Sequence, residues 1–176
     1  SEKSHKGSFH PLAACPNPHT TRNILRKTFI AIEGDDQART SLQSIATDLG
    51  SKSGYINADQ KARYHAAAVL ASNLMVSLLA VAEDETRACG LDGIESALGE
   101  LAIGALKKAQ EMGIRDGITG PLVRGDTATL EKHLEALSPE SAAIYRQLSL
   151  RGTRIAQDRG IEASSLQALV KLLSSS

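Results

Sequence analysis

Tryptophan is absent from this 176-residue chain, and aromatic residues make up only 3% of it. Any core must therefore be built from aliphatic side chains and alanine, a composition that suits closely packed helices. Cysteine is scarce. Cys15 and Cys89 lie in unrelated segments, which excludes a disulfide framework and fits a reducing, cytoplasmic setting. Neither sign of charge is in excess, with 20 Lys and Arg against 20 Asp and Glu. The totals give no reason to expect nucleic acid or an anionic membrane as a partner. No secretory leader is visible. The longest apolar stretch, residues 66–82, is interrupted by Ser72, Asn73 and Ser77 and falls short of the ~20 residues a bilayer span needs; it reads as a buried helix of a soluble protein. No His, Cys and carboxylate spacing suits a metal, and Gly-x-Gly-x-x-Gly, the dinucleotide fingerprint, occurs nowhere.

What the chain does have is a helical stretch from Ala58 to Cys89 with no Pro or Gly inside it, closed by Gly90. Ala, Leu, Lys, Arg, Gln and Glu dominate, and these lose little by being helical. Asn57 or Asp59 can cap its start. One continuous helix of that length is about 48 Å long, and residues 66–82 are apolar on nearly every face, so the helix should be surrounded by protein or by a partner. Before it, residues 1–27 read as irregular, broken by Pro11, Pro16 and Pro18. Residues 28–33 read as a strand, Asp35 and Asp36 cap a helix to Leu49, and residues 54–57 form a second short strand. This small α/β unit wants a parallel partner. After Gly90 the spacing predicts helices over 94–112, with Leu98, Leu101, Ala102, Ala105 and Leu106 facing inward, then 126–137, a helix from Pro139, and a last amphipathic helix ending in a frayed Ser tail. The fold class is mainly α: a helical domain (58–176) with a long central helix, preceded by a small α/β segment (1–57).

Three stretches carry candidate chemistry. On the central helix, Lys61, His65 and Ser72 fall within about 40° of one another and Asn73 within about 80° of His65. Such a polar strip lines a ligand cleft, or else consists of core groups satisfied by backbone. The loop Thr119-Gly120-Pro121-Leu122-Val123-Arg124-Gly125-Asp126 offers close backbone approach at Gly120, a helix start at Asp126 and a guanidinium, Arg124, that can pair with a carboxylate or phosphate; its bland reading is a tight turn with an Asp cap. In Phe9-His10-Pro11-Leu12, a His followed by Pro can act as acid or base near neutral pH. His5, His19 and His133 read as surface residues.

Together Phe9-His10-Pro11-Leu12, Ile32-Glu33-Gly34, Tyr64-His65-Ala66-Ala67-Ala68 with Ser72-Asn73, and Thr119-Gly120-Pro121 with Arg124-Gly125-Asp126 and His133-Leu134 resemble one family over nearly the whole chain. It comprises oxidoreductases in which a Rossmann domain precedes a helical domain of unknown function, similar to the C-terminal domain of 6-phosphogluconate dehydrogenase-like proteins. The resemblance implies that residues 1–57 are the last part of the Rossmann domain, that its nucleotide-binding half is not among these residues, and that NAD or NADP is the cofactor of the full-length protein. The chain opens at Ser1 without Met, as a processed chain or a piece of a longer one would. Hydroxyacid-type relatives place a catalytic Lys four residues before the helix Asn; that position here is Val69.

The reading is the substrate-binding and dimerisation part of a nicotinamide-dependent oxidoreductase acting on a small carbonyl, imine or hydroxy acid. His65, Asn73 and His10 are the expected catalytic residues, and Lys61, Ser72, Arg124 and Gly120 the expected substrate contacts. A homodimer is expected, because the central helix is too long and apolar for one small domain to cover. The rival is a non-catalytic helical module that dimerises or binds a small ligand, which Val69 favours.

Overall fold

The computed structural model describes residues 4–13, 23–26 and 28–175. Cys15, Pro16, Pro18 and His19 lie outside the described residues. The chain divides into two compact units, one through Met75 and one from Val76.

In the first unit, β1 (Gly7–Pro11) pairs antiparallel with β2 (Phe29–Gly34), which pairs parallel with β3 (Lys52–Tyr55). The sheet order is β1-β2-β3. Residues 7–11 were expected to be irregular and are a strand. Pro11 is tolerated because it ends an edge strand, where no ladder donor is missed. The strand expected at 54–57 is β3, which begins and ends two residues earlier than its pattern suggested. Helix α1 (Asp36–Asp48) crosses between β2 and β3 and starts at Asp35, whose side chain accepts from the Ala38 N–H. Ile30, Ile32 and Ala46 form a buried cluster, with Phe9 and Leu42 packed against it. That cluster occupies one face of β1 and β2 only, the face under α1. Gly34 closes β2 at φ +153, where a Cβ would come 2.7 Å from the Lys6 carbonyl; only glycine fits there.

A 3₁₀ turn (Ala58–Gln60) leads into α2 (Lys61–Leu70), and α3 (Asn73–Ala88) follows. The expected single helix is therefore broken at Ala71–Ser72. The Ser72 hydroxyl donates to the Ala68 carbonyl at 2.7 Å, and the Ser72 N–H turns back to Val69 rather than Ala68. This tightens the turn and ends the regular ladder without Gly or Pro. A second expectation fails more broadly. Neither α2 nor α3 contains a buried residue, so residues 66–82 are not enclosed by the described residues. The stretch Ala58–Ala88 is in fact long and apolar enough, at mean hydropathy 1.8, to cross a membrane by length and composition.

In the second unit, α3 continues into α4 (Glu95–Met112), α5 (Pro121–Arg124), α6 (Thr127–Ala136), α7 (Pro139–Asp158) and α8 (Ala163–Ser174). The core is Leu122, Leu130, Leu169 and Leu173, with Ile118, Leu134, Tyr145 and Ile161 packed against it. Each fully buried Leu contributes roughly 1.5–3 kcal/mol. Gly152 lets α5 close onto α7: a Cβ there would meet the Leu122 side chain at 2.2 Å. Sequence-legible caps start α6 and α7. Asp126 accepts from the Thr129 N–H, and Ser138, before Pro139, from the Ser141 N–H. Helix α4 departs from expectation. It has no buried residue; Leu101 is 72% exposed and Leu106 48%, while Leu98 and Ala102 are half-buried, so the face predicted to point inward is only partly covered.

Candidate functional site

The alternation of β1 and β2 gives the sheet a second, polar face. Ser8 pairs with Glu33 and His10 with Ala31, while Phe9 and Ile32 point to the α1 side. Opposite this polar face lies the first turn of α2, whose residues 61, 64 and 65 share one side of a helix. Lys61 Nζ donates to Glu33 Oε2 at 2.9 Å and lies 3.4 Å from Ser8 Oγ. The Lys61 ammonium is the chief reason the Glu33 carboxyl lies below its usual range. The Tyr64 hydroxyl donates to the His10 carbonyl at 3.5 Å, and partial burial raises the Tyr64 phenol above its usual value.

His10 is held edge-on between two rings, with centroids 5.4 Å from Tyr64 and 6.1 Å from His65. Its Nδ1 is buried and has no hydrogen-bond partner among the described residues. A buried polar nitrogen without a partner is costly, and a turn of the ring that brought it to the surface would let a small molecule supply the missing bond. His65 is exposed beside it. The two imidazole rings, with centroids 6.1 Å apart and one shielded while the other is open, form a joint edge at which a small substrate could be bound and meet a proton carrier.

Of the expected site residues, the structure brings His10, His65 and Lys61 together. Lys61 already has its carboxylate partner. Ser72 and Asn73 form their own pair, Ser72 Oγ donating to Asn73 Oδ1 at 3.0 Å, two turns farther along at the helix break. Gly120 and Arg124 belong to the second unit. Gly120, at φ 103, precedes α5, and Arg124 is exposed at its end. Glu33, Ser8 and Tyr64 were not singled out by the sequence reading as site residues. The signal was there in two periods: every second residue on β1 and β2, and positions 61, 64 and 65 on the helix.

A family model of a domain of unknown function, DUF2520, matches residues 28–152. The chain belongs to this family. No curated protein matches it. Among solved structures it is similar to protein TM1727 from Thermotoga maritima, with 24% identity over 87% of this chain and 62% of that one, at a TM-score of 0.80. It is also similar to a candidate NADP oxidoreductase, BF3122, from Bacteroides fragilis, with 22% identity over 86% and 58% of the two chains, at 0.64. Those likenesses establish the fold, mainly α with a small α/β segment. The chain spans about three fifths of the length of the structures it matches.

A nicotinamide dinucleotide needs a strand-to-helix turn with free N–H groups for its pyrophosphate. The turn from β2 to α1 does not fit that need. Its helix start is already taken by the Asp35 carboxylate, which accepts from the N–H groups of Ala38 and Lys6 and pairs with His5 Nδ1 at 3.0 Å. The Ala38 N–H, then the Lys6 N–H, hold this carboxyl below its usual range. A phosphate would meet a negative charge there.

Proposed function

We propose that this chain is the substrate-binding and dimerisation part of an NAD- or NADP-dependent oxidoreductase related to the 6-phosphogluconate dehydrogenase C-terminal type, working as a cytoplasmic homodimer on a small carbonyl, imine or hydroxy acid. The cofactor is held by residues other than these. The observation that carries the reading is the unpartnered, buried Nδ1 of His10 beside the exposed ring of His65. In this reading His10 binds a substrate oxygen and His65 gives or takes the proton. Lys61 acts through its Glu33 pair as a fixed positive edge to the site rather than as a free anion clamp. Ser72 and Asn73 orient the end of the strip. With Val69 where hydroxyacid-type relatives carry Lys, this reading needs the imidazoles as the proton carriers.

The test is a titration of the full chain, labelled with ¹⁵N histidine, by lactate and pyruvate, followed by NMR. Saturable shifts at His10 and His65, with His5 and His133 unmoved, are expected. If His10 and His65 stay still while other resonances move, the polar face is structural and the assignment fails.

A further inference from the structure

The sheet face that carries His10 changes character along its strands. A residue shares its face with its partner across the ladder and with every second residue along its own strand, so the pairing arranges that face in rows. Ser8 and Glu33 form one row; His10, Ala31 and Gly54 form the next. Leu12 and Phe29 extend the series by one step, the Leu12 N–H donating to the Phe29 carbonyl at 2.8 Å. The first row is charged and closed, since Lys61 Nζ already meets Glu33 at 2.9 Å. The last is apolar and open: Leu12 is 46% exposed and Phe29 41%. His10 stands between them.

The Phe29 ring has a defined seat. A Cβ at Gly54 would meet the tip of that ring at 2.9 Å, so the ring reaches across from β2 and rests on β3 where no side chain stands. Gly54 pairs with Ala31, and Ala31 with His10, so a Cβ at Gly54 points to the His10 side of the sheet. The contact therefore places the Phe29 ring on the same face as the imidazole.

We infer that Phe29, with Leu12, is the specificity-determining shelf of the His10–His65 site, and that the shelf takes an apolar, ring-sized group of the substrate. This rests on the reading of that site under the proposed function and narrows its substrate class to carbonyl or hydroxy compounds bearing an aryl-sized substituent. Phe29 is the diagonal cross-strand neighbour of His10, a relation that puts backbones about 7–8 Å apart and within reach of aromatic side chains. A phenyl ring joined through one methylene to the reacting carbon extends about 5 Å from it. A substrate whose oxygen meets His10 thus lays such a ring on Phe29. The reverse orientation sets the ring against the Glu33–Lys61 pair, and loss of water from those charges opposes it. Lys52 stands across from Phe29 on β3, so a second carboxylate is the competing preference, for which malate is the probe.

The full chain, labelled in histidine and phenylalanine, is titrated with lactate, malate and 3-phenyllactate and followed by NMR. 3-Phenyllactate should bind at least about tenfold more tightly than the other two acids, with nuclear Overhauser contacts from its ring to Phe29. Phe9, the only other phenylalanine, lies on the α1 face and should show none. Phe29→Ala should bring the ratio of 3-phenyllactate to lactate affinity to within about twofold of one. If that variant does not fold, the contacts to Phe29 in the wild type give the answer without it. Equal affinities, tighter binding of malate, or ring contacts away from Phe29, each with His10 and His65 still responding, would overturn the inference and leave the reading of the site intact. If neither imidazole responds to any of the three acids, that reading fails and the shelf with it.

Discussion

Two groups of helices in the second unit make opposite use of hydrophobic residues. Helices α5 to α8 bury Leu122, Leu130, Leu169 and Leu173 against one another. Helices α3 and α4 carry long apolar runs and bury no residue at all. Apolar content alone therefore does not say where a core is; it says only that a surface must be covered. In α5–α8 the cover comes from neighbours close in sequence. Among the described residues, α3 and α4 are left exposed or at most half-buried.

The sharpest way to break that comparison is to truncate one side chain from each group. Leu130→Ala is expected to cost about 2–5 kcal/mol in denaturant unfolding, since it leaves a cavity in a filled core. Leu101→Ala should cost under about 0.5 kcal/mol at dilutions where the chain is monomeric. Its effect should grow with protein concentration. Equal costs at high dilution would mean that α4 is covered within its own chain.

In the first unit the contrast is between the two faces of β1 and β2. Phe9→Ala on the apolar face should destabilise by about 3 kcal/mol or more. His10→Leu on the polar face should do the reverse. Replacing an unpartnered buried nitrogen by carbon removes a desolvation penalty of about 1–3 kcal/mol, so the thermal midpoint should rise. A fall would mean that His10 Nδ1 has a partner, such as a bound water, that holds the fold.

A smaller effect should come from the cap of α1. Asp35→Ala should lower the thermal midpoint modestly, as loss of an N-cap does. The pH dependence has a fixed sign. The Asp35 carboxyl is depressed in the folded state, so its contribution is complete above the unfolded carboxylate value of about 3.9 and is lost as pH falls below it. Glu33, depressed chiefly by Lys61, adds in the same direction. Unfolding followed at pH 7 and pH 3 should show the wild type losing more stability than Asp35→Ala. The smallest expected effect is none: calorimetric titration of the chain with NADPH should give no heat beyond dilution, and micromolar affinity would place a phosphate site where Asp35 argues against one.

Much of this was legible in the sequence, and the failures have physical causes. The caps at Asp35 and Asp126 and the start at Pro139 were readable because each is decided within four residues. Strand β1 was not, since its ladder is formed with residues about twenty or more positions away and Pro11 masks it locally. The break at Ala71–Ser72 was hidden for another reason: serine ends the ladder by a hydrogen bond to its own preceding turn, which no helix-breaking residue announces. Spacing also joined residues 61, 65, 72 and 73 into one strip. The break separates His65 and Lys61 from the Ser72–Asn73 pair and turns their grouping toward β1 instead.

The alternation along β2 has a consequence for how this family can change. Ile30 and Ile32 answer to the core, Ala31 and Glu33 to the polar face. A random library at Ser8, His10 and Glu33 should therefore yield mostly folded proteins with altered ligand preference, while one at Phe9, Ile30 and Ile32 should yield mostly aggregates. Ala31 is the exception. It is fully buried directly across from His10, and any larger residue there would push the imidazole out of line. Under the proposed reading, new specificities of this chain would arise on three positions of the strand pair, provided the fourth stays small.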